Sequence, residues 1–359
     1  MNITAKKYLE DIVSYKPGKA KIGLDNAIKL SANENALGAS PKAIKAYQNL
    51  SNNLSTYPDG SASELRNSLA KKNDIDPDKI VCGAGSDELI ALITHAFCGE
   101  GDEIIYSQHG FLMYPISAKK VGATAIKVAE TNLKTNIDNI LAAISSKTKI
   151  IFIANPNNPT GTYLNKDEIN KLIAQVPSNI IIVLDHAYEE FVTEKDYPKN
   201  SLKLVEQNEN LVVTRTFSKI YGLASLRIGW CYSSQYVADI LNKIRGPFNV
   251  SSPAQNAAIS AINDDEFLEL SILHNKKWLK IYEEEFLNAT QFNLTKSAAN
   301  FILIDFLDKQ KLVKANQLLA ERKIIAREMG AYGLENSLRI TIGKDLENKM
   351  VIEQLKKIY

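Results

Sequence analysis

The sequence predicts an α/β protein with a mostly parallel central sheet flanked by helices, together with a smaller α+β domain. Between residues 79 and 215, short β-rich apolar runs alternate with longer segments of helical periodicity. Two of these runs, Lys149–Ala154 and Ile180–Leu184, are continuously apolar, which is typical of strands buried on both faces of a parallel sheet. After about residue 250 the alternation stops, and a long helical stretch precedes a short β-rich tail.

The elements of the first part form a βαβ series, which favours a parallel sheet covered by helices on both sides. The predicted strands are Lys79–Cys82, Glu103–Tyr106, Ala123–Val128, Lys149–Ala154, Ile180–Leu184 and Asn210–Arg215. Helices are expected over Glu88–Phe97, Tyr114–Val121 and Lys166–Val176. The last of these begins with a capping-box spacing, Asn165 followed by Glu168.

The C-terminal part and the N-terminus are expected to form the smaller domain. The pattern there predicts a helical stretch over Pro253–Leu287 and strands at Phe301–Phe306 and Leu338–Ile342. We therefore predict a large α/β domain over residues 46–250, and a small α+β domain made of residues 1–45 and 251–359 that includes an N-terminal arm. A chain of 359 residues fits this division.

Composition excludes several classes of protein. The chain is 45% hydrophobic and 23% charged, which are the fractions of a globular protein rather than a disordered one. Its 43 Lys and Arg against 41 Asp and Glu leave no electrostatic reason to expect nucleic acid or a membrane as partner. The three cysteines suggest a reducing compartment, and the N-terminal segment has no apolar signal-peptide core, so we expect a cytoplasmic protein.

The strongest local signal for function is the segment Thr214–Lys219, with Arg227 eight residues further on. A lysine that directly follows a strand lies at the edge of an open α/β sheet where ligands bind. Its Ser, Thr and Arg neighbours are groups that bind phosphate, and lysine in such a setting can act as a nucleophile. Read alone, the segment is equally consistent with a surface lysine in a loop.

Four other segments point to the same chemistry, although each has a structural alternative. Asn158 lies in an Asn- and Pro-rich turn after a buried strand, and Asp185 ends the next apolar strand. The Gly83–Asp87 turn, with Ser86 as a plausible N-cap, directs backbone N–H groups at an anion. Arg339 lies within a strand suited to burial and therefore needs an anionic partner, either internal or from a ligand.

In their order, these segments resemble the fold-type I pyridoxal-phosphate aminotransferases, and within them the histidinol-phosphate aminotransferase family. The closer resemblance lies at Tyr15–Lys19, Leu30–Asn35, Tyr57–Gly60, Pro247–Val250, Tyr332–Leu334 and Leu338–Gly343, so that it covers nearly the whole chain. It implies a transaminase that uses pyridoxal 5′-phosphate and transfers the amino group of histidinol phosphate to 2-oxoglutarate in histidine biosynthesis, by a ping-pong mechanism.

The resemblance also implies roles for individual residues in binding the cofactor. Lys219 would form the Schiff base and move the substrate's proton, Asp185 would pair with the pyridine nitrogen, and Asn158 and Tyr188 would hydrogen-bond the ring 3′-oxygen. Phe111 would stack on the ring. The phosphate would be bound by Gly85, Ser86, Asp87, Thr216, Ser218 and Arg227, with Tyr57 contributed by the neighbouring subunit of a homodimer.

The substrate pocket must accept a phosphate ester and a dicarboxylate in turn, which arginine side chains suit. The resemblance assigns the carboxylate of the amino-acid partner to Arg339, and the further candidates for this pocket are Arg327, Tyr15 and Asn33. Arg327 is equally consistent with an ordinary salt bridge at the end of a helix or strand. The four histidines have no metal-ligand spacing, so no metal is expected; His186 stands where relatives commonly have an acidic residue.

Other functions remain open at this point. Within the family, an aromatic or broad-specificity aminotransferase and a phosphothreonine decarboxylase are alternatives. A nicotinamide dehydrogenase is suggested by Gly83-Ala-Gly85, but Glu88 replaces the third glycine of that motif. A non-enzymatic regulator has no appended DNA-binding segment or basic patch to support it.

Overall fold

The structure is a computed structural model that describes residues 4–10, 12–13, 27–50 and 55–358. Within these residues the strands are β1 (Ile28–Lys29), β2 (Ile80–Gly83), β3 (Glu103–Ser107), β4 (Thr124–Val128), β5 (Thr148–Ala154), β6 (Ile181–Asp185), β7 (Leu211–Thr216), β8 (Gly229–Tyr232), β9 (Asn293–Thr295), β10 (Phe301–Asp305), β11 (Ile324–Ile325), β12 (Arg327–Met329) and β13 (Leu334–Thr341). The α-helices are α1 (Lys7–Glu10), α2 (Pro41–Asn49), α3 (Ser63–Asn73), α4 (Ser86–Phe97), α5 (Met113–Lys120), α6 (Ile137–Ala142), α7 (Lys166–Gln175), α8 (Ser201–Val205), α9 (Gln235–Ile244), α10 (Ser252–Ile262), α11 (Asp265–Phe286), α12 (Lys309–Glu321) and α13 (Asp345–Leu355).

Seven strands form the large sheet in the order β2-β8-β7-β6-β5-β3-β4. All neighbours are parallel except β8, which runs antiparallel to both β2 and β7. Every residue of β6 and β7 is buried, because helices cover both faces of the sheet. The predicted fold class is therefore confirmed, and the short strand β8 is the one member of this sheet that the sequence pattern did not predict.

Two local predictions differ in outcome. The helical stretch predicted over Pro253–Leu287 is two helices, α10 and α11, because Asp264 at the break is buried and accepts hydrogen bonds from Ser40 Oγ and Lys42 Nζ at 2.5 and 2.8 Å. By contrast, the capping box at the start of α7 is present as predicted, with both of its reciprocal hydrogen bonds.

Ser86 is not an N-cap, and this prediction was wrong. Helix α4 already begins at Ser86, and the preceding Gly85 occupies the cap position with φ +84° and ψ 168°. That backbone conformation is accessible to glycine but strained for any residue with a Cβ.

The second sheet is antiparallel, with the order β12-β13-β10-β9, and lies with helices α11–α13 around a separate hydrophobic cluster. Strand β1, from the N-terminal part, pairs in parallel with β11. Helix α10 packs on α2 and α3, and its alanines belong to the hydrophobic cluster of the large sheet. The division at residues 45/46 and 250/251 stays a prediction.

The topology brings the predicted functional segments to one edge of the large sheet. Strands β5, β6 and β7 are parallel neighbours and end at Ala154, Asp185 and Thr216. The turns that carry Asn158 and Lys219 come after β5 and β7, so they emerge at the carboxyl edge where ligands bind in such sheets. None of the helices in the described ranges is long and apolar enough to cross a membrane.

Candidate active site

A cavity of about 520 Å³ opens at this carboxyl edge and extends to strands β12 and β13. Most of the residues that the sequence analysis assigned to the cofactor and substrate lie around it. These are Asn33, Ser86, Asp87, Phe111, Asn158, Asp185, Tyr188, Thr216, Ser218, Lys219, Arg227, Arg327 and Arg339. Gly85 directly precedes Ser86 in the turn before α4. The structure brings these residues together around one cavity, and their roles remain predictions.

Lys219 follows β7 and directs its amine into the cavity. Its Nζ donates a hydrogen bond to the Ala32 carbonyl at 3.2 Å and lies 5.6 Å from the centre of the Tyr188 ring. The Tyr188 hydroxyl in turn accepts a hydrogen bond from Asn33 Nδ2 at 2.9 Å. The segment before α2 therefore helps to fix both the lysine and the tyrosine.

Asp185 is a buried carboxylate that faces the cavity from the end of β6. Tyr114 Oη donates to its Oδ2 at 2.8 Å, and Thr214 Oγ1 donates to its Oδ1 at 3.2 Å. Burial raises the pKa of Asp185, while these two hydrogen bonds oppose the rise. Among the described residues, no lysine or arginine forms a salt bridge with Asp185, so a cationic N–H from a ligand would complete its surroundings.

Sequence reasoning missed the partners of Asp185. Thr214 and Thr216 lie two residues apart on β7 and therefore on the same face, which was a usable signal. Tyr114 lies on α5, a different element with no recognisable motif, and its hydroxyl meets Asp185 only through the packing of α5 against the sheet.

The start of α4 forms a cradle suited to an anion. The first N–H groups of a helix have no partner within the helix, and here they begin at Ser86. Arg227 closes the cradle, because its Nη1 donates to Ser218 Oγ and its Nη2 to Asp87 Oδ2, both at 3.2 Å. A Cβ at Gly85 would collide with the Arg227 guanidinium, so glycine is what allows the arginine to approach the turn.

On the opposite side of the cavity, two arginines form a cationic wall. Arg339 is 3% exposed; its Nη1 donates to Asn158 Oδ1 and its Nη2 to the Ser31 carbonyl at 2.9 Å. Arg327 lies directly opposite it in the β12–β13 register. Lys29 and Glu34, which the sequence analysis did not single out, pair at 2.8 Å on the same cavity.

Three predicted aromatic residues have different outcomes. Phe111 lines the cavity and meets the Tyr114 ring edge-on at 5.9 Å. Tyr57 lies outside this cavity; it is 78% exposed and stacks on Phe248 at 4.7 Å. Tyr15 lies outside the described residues.

Three further features concern His186, the dehydrogenase alternative and metal binding. His186 is fully buried and its Nδ1 contacts Glu189, which also binds Arg215, so this histidine belongs to a buried ionic cluster beside the site. Glu88 Oε2 accepts hydrogen bonds from the Ala84 N–H and from Asn249 Nδ2. The Ala84 N–H belongs to the turn that would bind a dinucleotide pyrophosphate, so this donor is already occupied, which disfavours the dehydrogenase alternative. In the described part of the chain, no group of side chains could hold a metal ion.

Comparisons with known proteins bear on the family and on the fold. Residues 25–355 match the family model described as aminotransferase class I and II. Histidinol-phosphate aminotransferases of Paramagnetospirillum magneticum and Rhodopseudomonas palustris are 46% and 44% identical to the chain, each over 97% of it and 96% of the relative.

A solved structure of similar fold is that of histidinol-phosphate aminotransferase from Sinorhizobium meliloti in complex with pyridoxal-5′-phosphate. It has a TM-score of 0.91 at 24% identity and covers 99% of this chain and 97% of its own. The likeness to that structure supports the fold alone, whereas the family model and the two close relatives bear on the family. The dehydrogenase hypothesis is thereby set aside, and the chain belongs to the aminotransferase class I and II family.

Proposed function

We propose that the protein is a histidinol-phosphate aminotransferase that uses pyridoxal 5′-phosphate and passes the amino group to 2-oxoglutarate. The observation that carries the proposal is the joint position of Lys219, Asp185 and the α4 cradle on one cavity whose far wall is cationic. The relatives that bear this name, at 44% and 46% identity, support the choice of substrate.

The residues present fit the cofactor at both of its ends. Asp185 is a buried carboxylate whose donors among the described residues are the hydroxyls of Tyr114 and Thr214, which suits a protonated ring nitrogen. The α4 cradle offers helix N–H groups, Ser218 and Arg227 to a phosphate. When bound, pyridoxal phosphate supplies an aldehyde that receives amines and a ring that withdraws the electron pair of the substrate's Cα–H bond.

The residues of the chain itself bind the cofactor, orient it and move a proton. Lys219 Nζ would hold the cofactor and, as a free amine, would move the proton from the substrate's Cα to the cofactor's C4′. Asp185 would pair with the protonated ring nitrogen. Tyr188 and Asn158, on the same cavity, orient the ring through its 3′-oxygen.

The cationic wall supports the use of two different substrates in one pocket. Histidinol phosphate carries a phosphate ester, whereas 2-oxoglutarate carries two carboxylates, and guanidinium groups bind both kinds of anion in a bidentate manner. Arg339 is held by Asn158 and the Ser31 carbonyl and is therefore preorganised, while Arg327 lies beside it on the neighbouring strand. Asn33 and Tyr15 are proposed as further contacts to the substrate.

A homodimer with shared sites is part of this proposal. Tyr57 is largely exposed and lies outside its own subunit's cavity, which is compatible with a role in the partner's site. Mixed dimers of Lys219→Ala and Tyr57→Ala chains would each have one site with both native residues. We expect activity to reappear on mixing the two variants, and its absence would contradict a shared site.

Covalent trapping tests the assignment of cofactor and lysine. Borohydride reduction of the loaded protein, followed by peptide mapping, should place the cofactor's mass on Lys219 and remove the visible absorbance. Lys219→Ala should have neither signal and no transamination. Lys171→Ala changes a lysine paired with Asp138 on the surface and should behave as wild type. Cofactor mass on another residue would contradict the proposal.

A further inference from the structure

The Tyr114 side chain is fixed beside the predicted cofactor site without lining the cavity. It is fully buried, and its ring stacks on Phe152 with centres 4.6 Å apart and planes within 3° of parallel. Phe111 contacts it edge-on. The two aromatic contacts pack the side chain on different sides, and its hydroxyl lies 2.8 Å from Asp185 Oδ2.

This hydroxyl acts as a donor to Asp185. Burial and the charge of Asp185 hold the pKa of Tyr114 well above its usual range, so that the tyrosine stays protonated. With Thr214 on the other oxygen, each oxygen of Asp185 receives one neutral donor. A hydrogen bond to an ionised group is among the stronger kinds and favours the ionised form.

Other titratable groups act on the same carboxylate. The charge of Asp87 raises the pKa of Asp185, as burial does, whereas His186 lowers it. Tyr188 and Tyr197 also face this region from the segments after β6. Burial is the largest influence and favours the neutral acid, so the two hydroxyl donors are needed to oppose it.

We propose that Tyr114 is a positioning residue that keeps the carboxylate of Asp185 ionised and directed at the ring nitrogen of the bound cofactor. It does so through its hydrogen bond, held by the stack on Phe152, and without itself touching substrate or cofactor. The inference rests on the proposed function only through the identity of the cofactor, and it is independent of the amine donor.

Tyr114→Phe tests this inference, because it removes the hydroxyl and keeps the ring. The matched control is Tyr282→Phe, which removes a hydroxyl that is equally buried but donates to Asn348 in the other hydrophobic cluster. We expect the Tyr114→Phe holoenzyme to lose cofactor on dialysis at least about tenfold faster than wild type, as one charge-assisted hydrogen bond would dictate. The acid limb of its kcat–pH profile should move to higher pH, since less of Asp185 is then ionised. The Tyr282→Phe protein should match wild type in both measurements.

Two outcomes would overturn the inference. The first is a Tyr114→Phe protein that retains cofactor as wild type does and has the wild-type kcat–pH profile. The second is an equal change in both measurements for Tyr114→Phe and Tyr282→Phe, which would indicate a merely structural role. Should Tyr114→Phe fail to fold, Thr214→Val removes the second donor and should shift the acid limb in the same direction; an unshifted limb would contradict the inference. A wild-type protein that binds no pyridoxal phosphate at all would instead refute the proposed function.

Discussion

Replacing Gly85 with alanine should weaken the phosphate cradle in addition to straining the backbone. Gly85 has φ +84° and ψ 168°, a region that costs a residue with a Cβ about 1–3 kcal/mol. The new methyl group would also collide with the Arg227 guanidinium. Displacing that group removes its hydrogen bonds to Ser218 and Asp87, and one charge-assisted bond corresponds to about tenfold in affinity.

A second glycine separates backbone strain from the collision. Gly101 also has a positive φ, +91°, but a Cβ there would meet nothing within 4 Å. Gly101→Ala should therefore lose about 1–2 kcal/mol of unfolding free energy and keep wild-type affinity for pyridoxal phosphate. Gly85→Ala should lose a similar free energy and about tenfold in cofactor affinity, measured by urea denaturation and by absorbance titration. Equal cofactor affinities in the two variants would refute the account of the cradle.

The other predictions concern the cationic wall and the fold. Arg327→Met should lower kcat/KM for histidinol phosphate about tenfold more than kcat/KM for histidinol, because histidinol lacks the phosphate. As a control, Arg322→Met changes an exposed arginine and should affect neither value. Equal losses for both amines in Arg327→Met would contradict a contact between Arg327 and the phosphate. Asp264→Asn should lower the unfolding free energy by about 1 kcal/mol at pH 7, since hydrogen bonds from Lys42 and Ser40 lower the pKa of Asp264. A carboxylate whose pKa is lowered on folding stabilises the protein at a pH above its unfolded-state pKa, and this stabilisation is lost as the pH falls through its folded-state pKa. The difference in unfolding free energy between wild type and Asp264→Asn, measured by urea denaturation, should therefore shrink in acid. A difference that stays constant with pH would contradict the ionic role of Asp264.

The residues at the carboxyl edge of the large sheet could be predicted from the sequence, because each motif comes directly after a strand. Continuous apolar runs indicated that β5 and β6 are parallel and buried, and parallel strands place the turns at their carboxyl ends on one side of the sheet. Asn158, Asp185 and Lys219 therefore meet on one cavity. For Arg339 the sequence predicted an anionic partner, because a buried arginine needs one; the structure buries this arginine on the same cavity, where the neutral oxygens of Asn158 and Ser31 accept its hydrogen bonds.

The missed features depend on contacts between elements that are distant in the sequence. Tyr114 and Asp185 are hydrogen-bonded although they lie 71 residues apart in the sequence, and no local sequence pattern predicts such a contact. Ser86 has the side chain of an N-cap, yet the need for Arg227 to approach Gly85 places a glycine in that position instead. Likewise, the break before α11 is set by Ser40 and Lys42, which lie more than 200 residues away from Asp264.

The cavity is proposed to select histidinol phosphate as its amine donor. The most direct measurement is a single-turnover panel on the pyridoxal-phosphate-loaded protein, with histidinol phosphate, phenylalanine, tyrosine, phosphothreonine and glutamate at equal concentration. The loss of the cofactor's visible band reports amino transfer to it, and analysis of the released products distinguishes transfer from decarboxylation. We expect histidinol phosphate to react fastest. We also expect none of the donors to lose carbon dioxide. A faster reaction with phenylalanine or tyrosine, or decarboxylation of phosphothreonine, would contradict the claim.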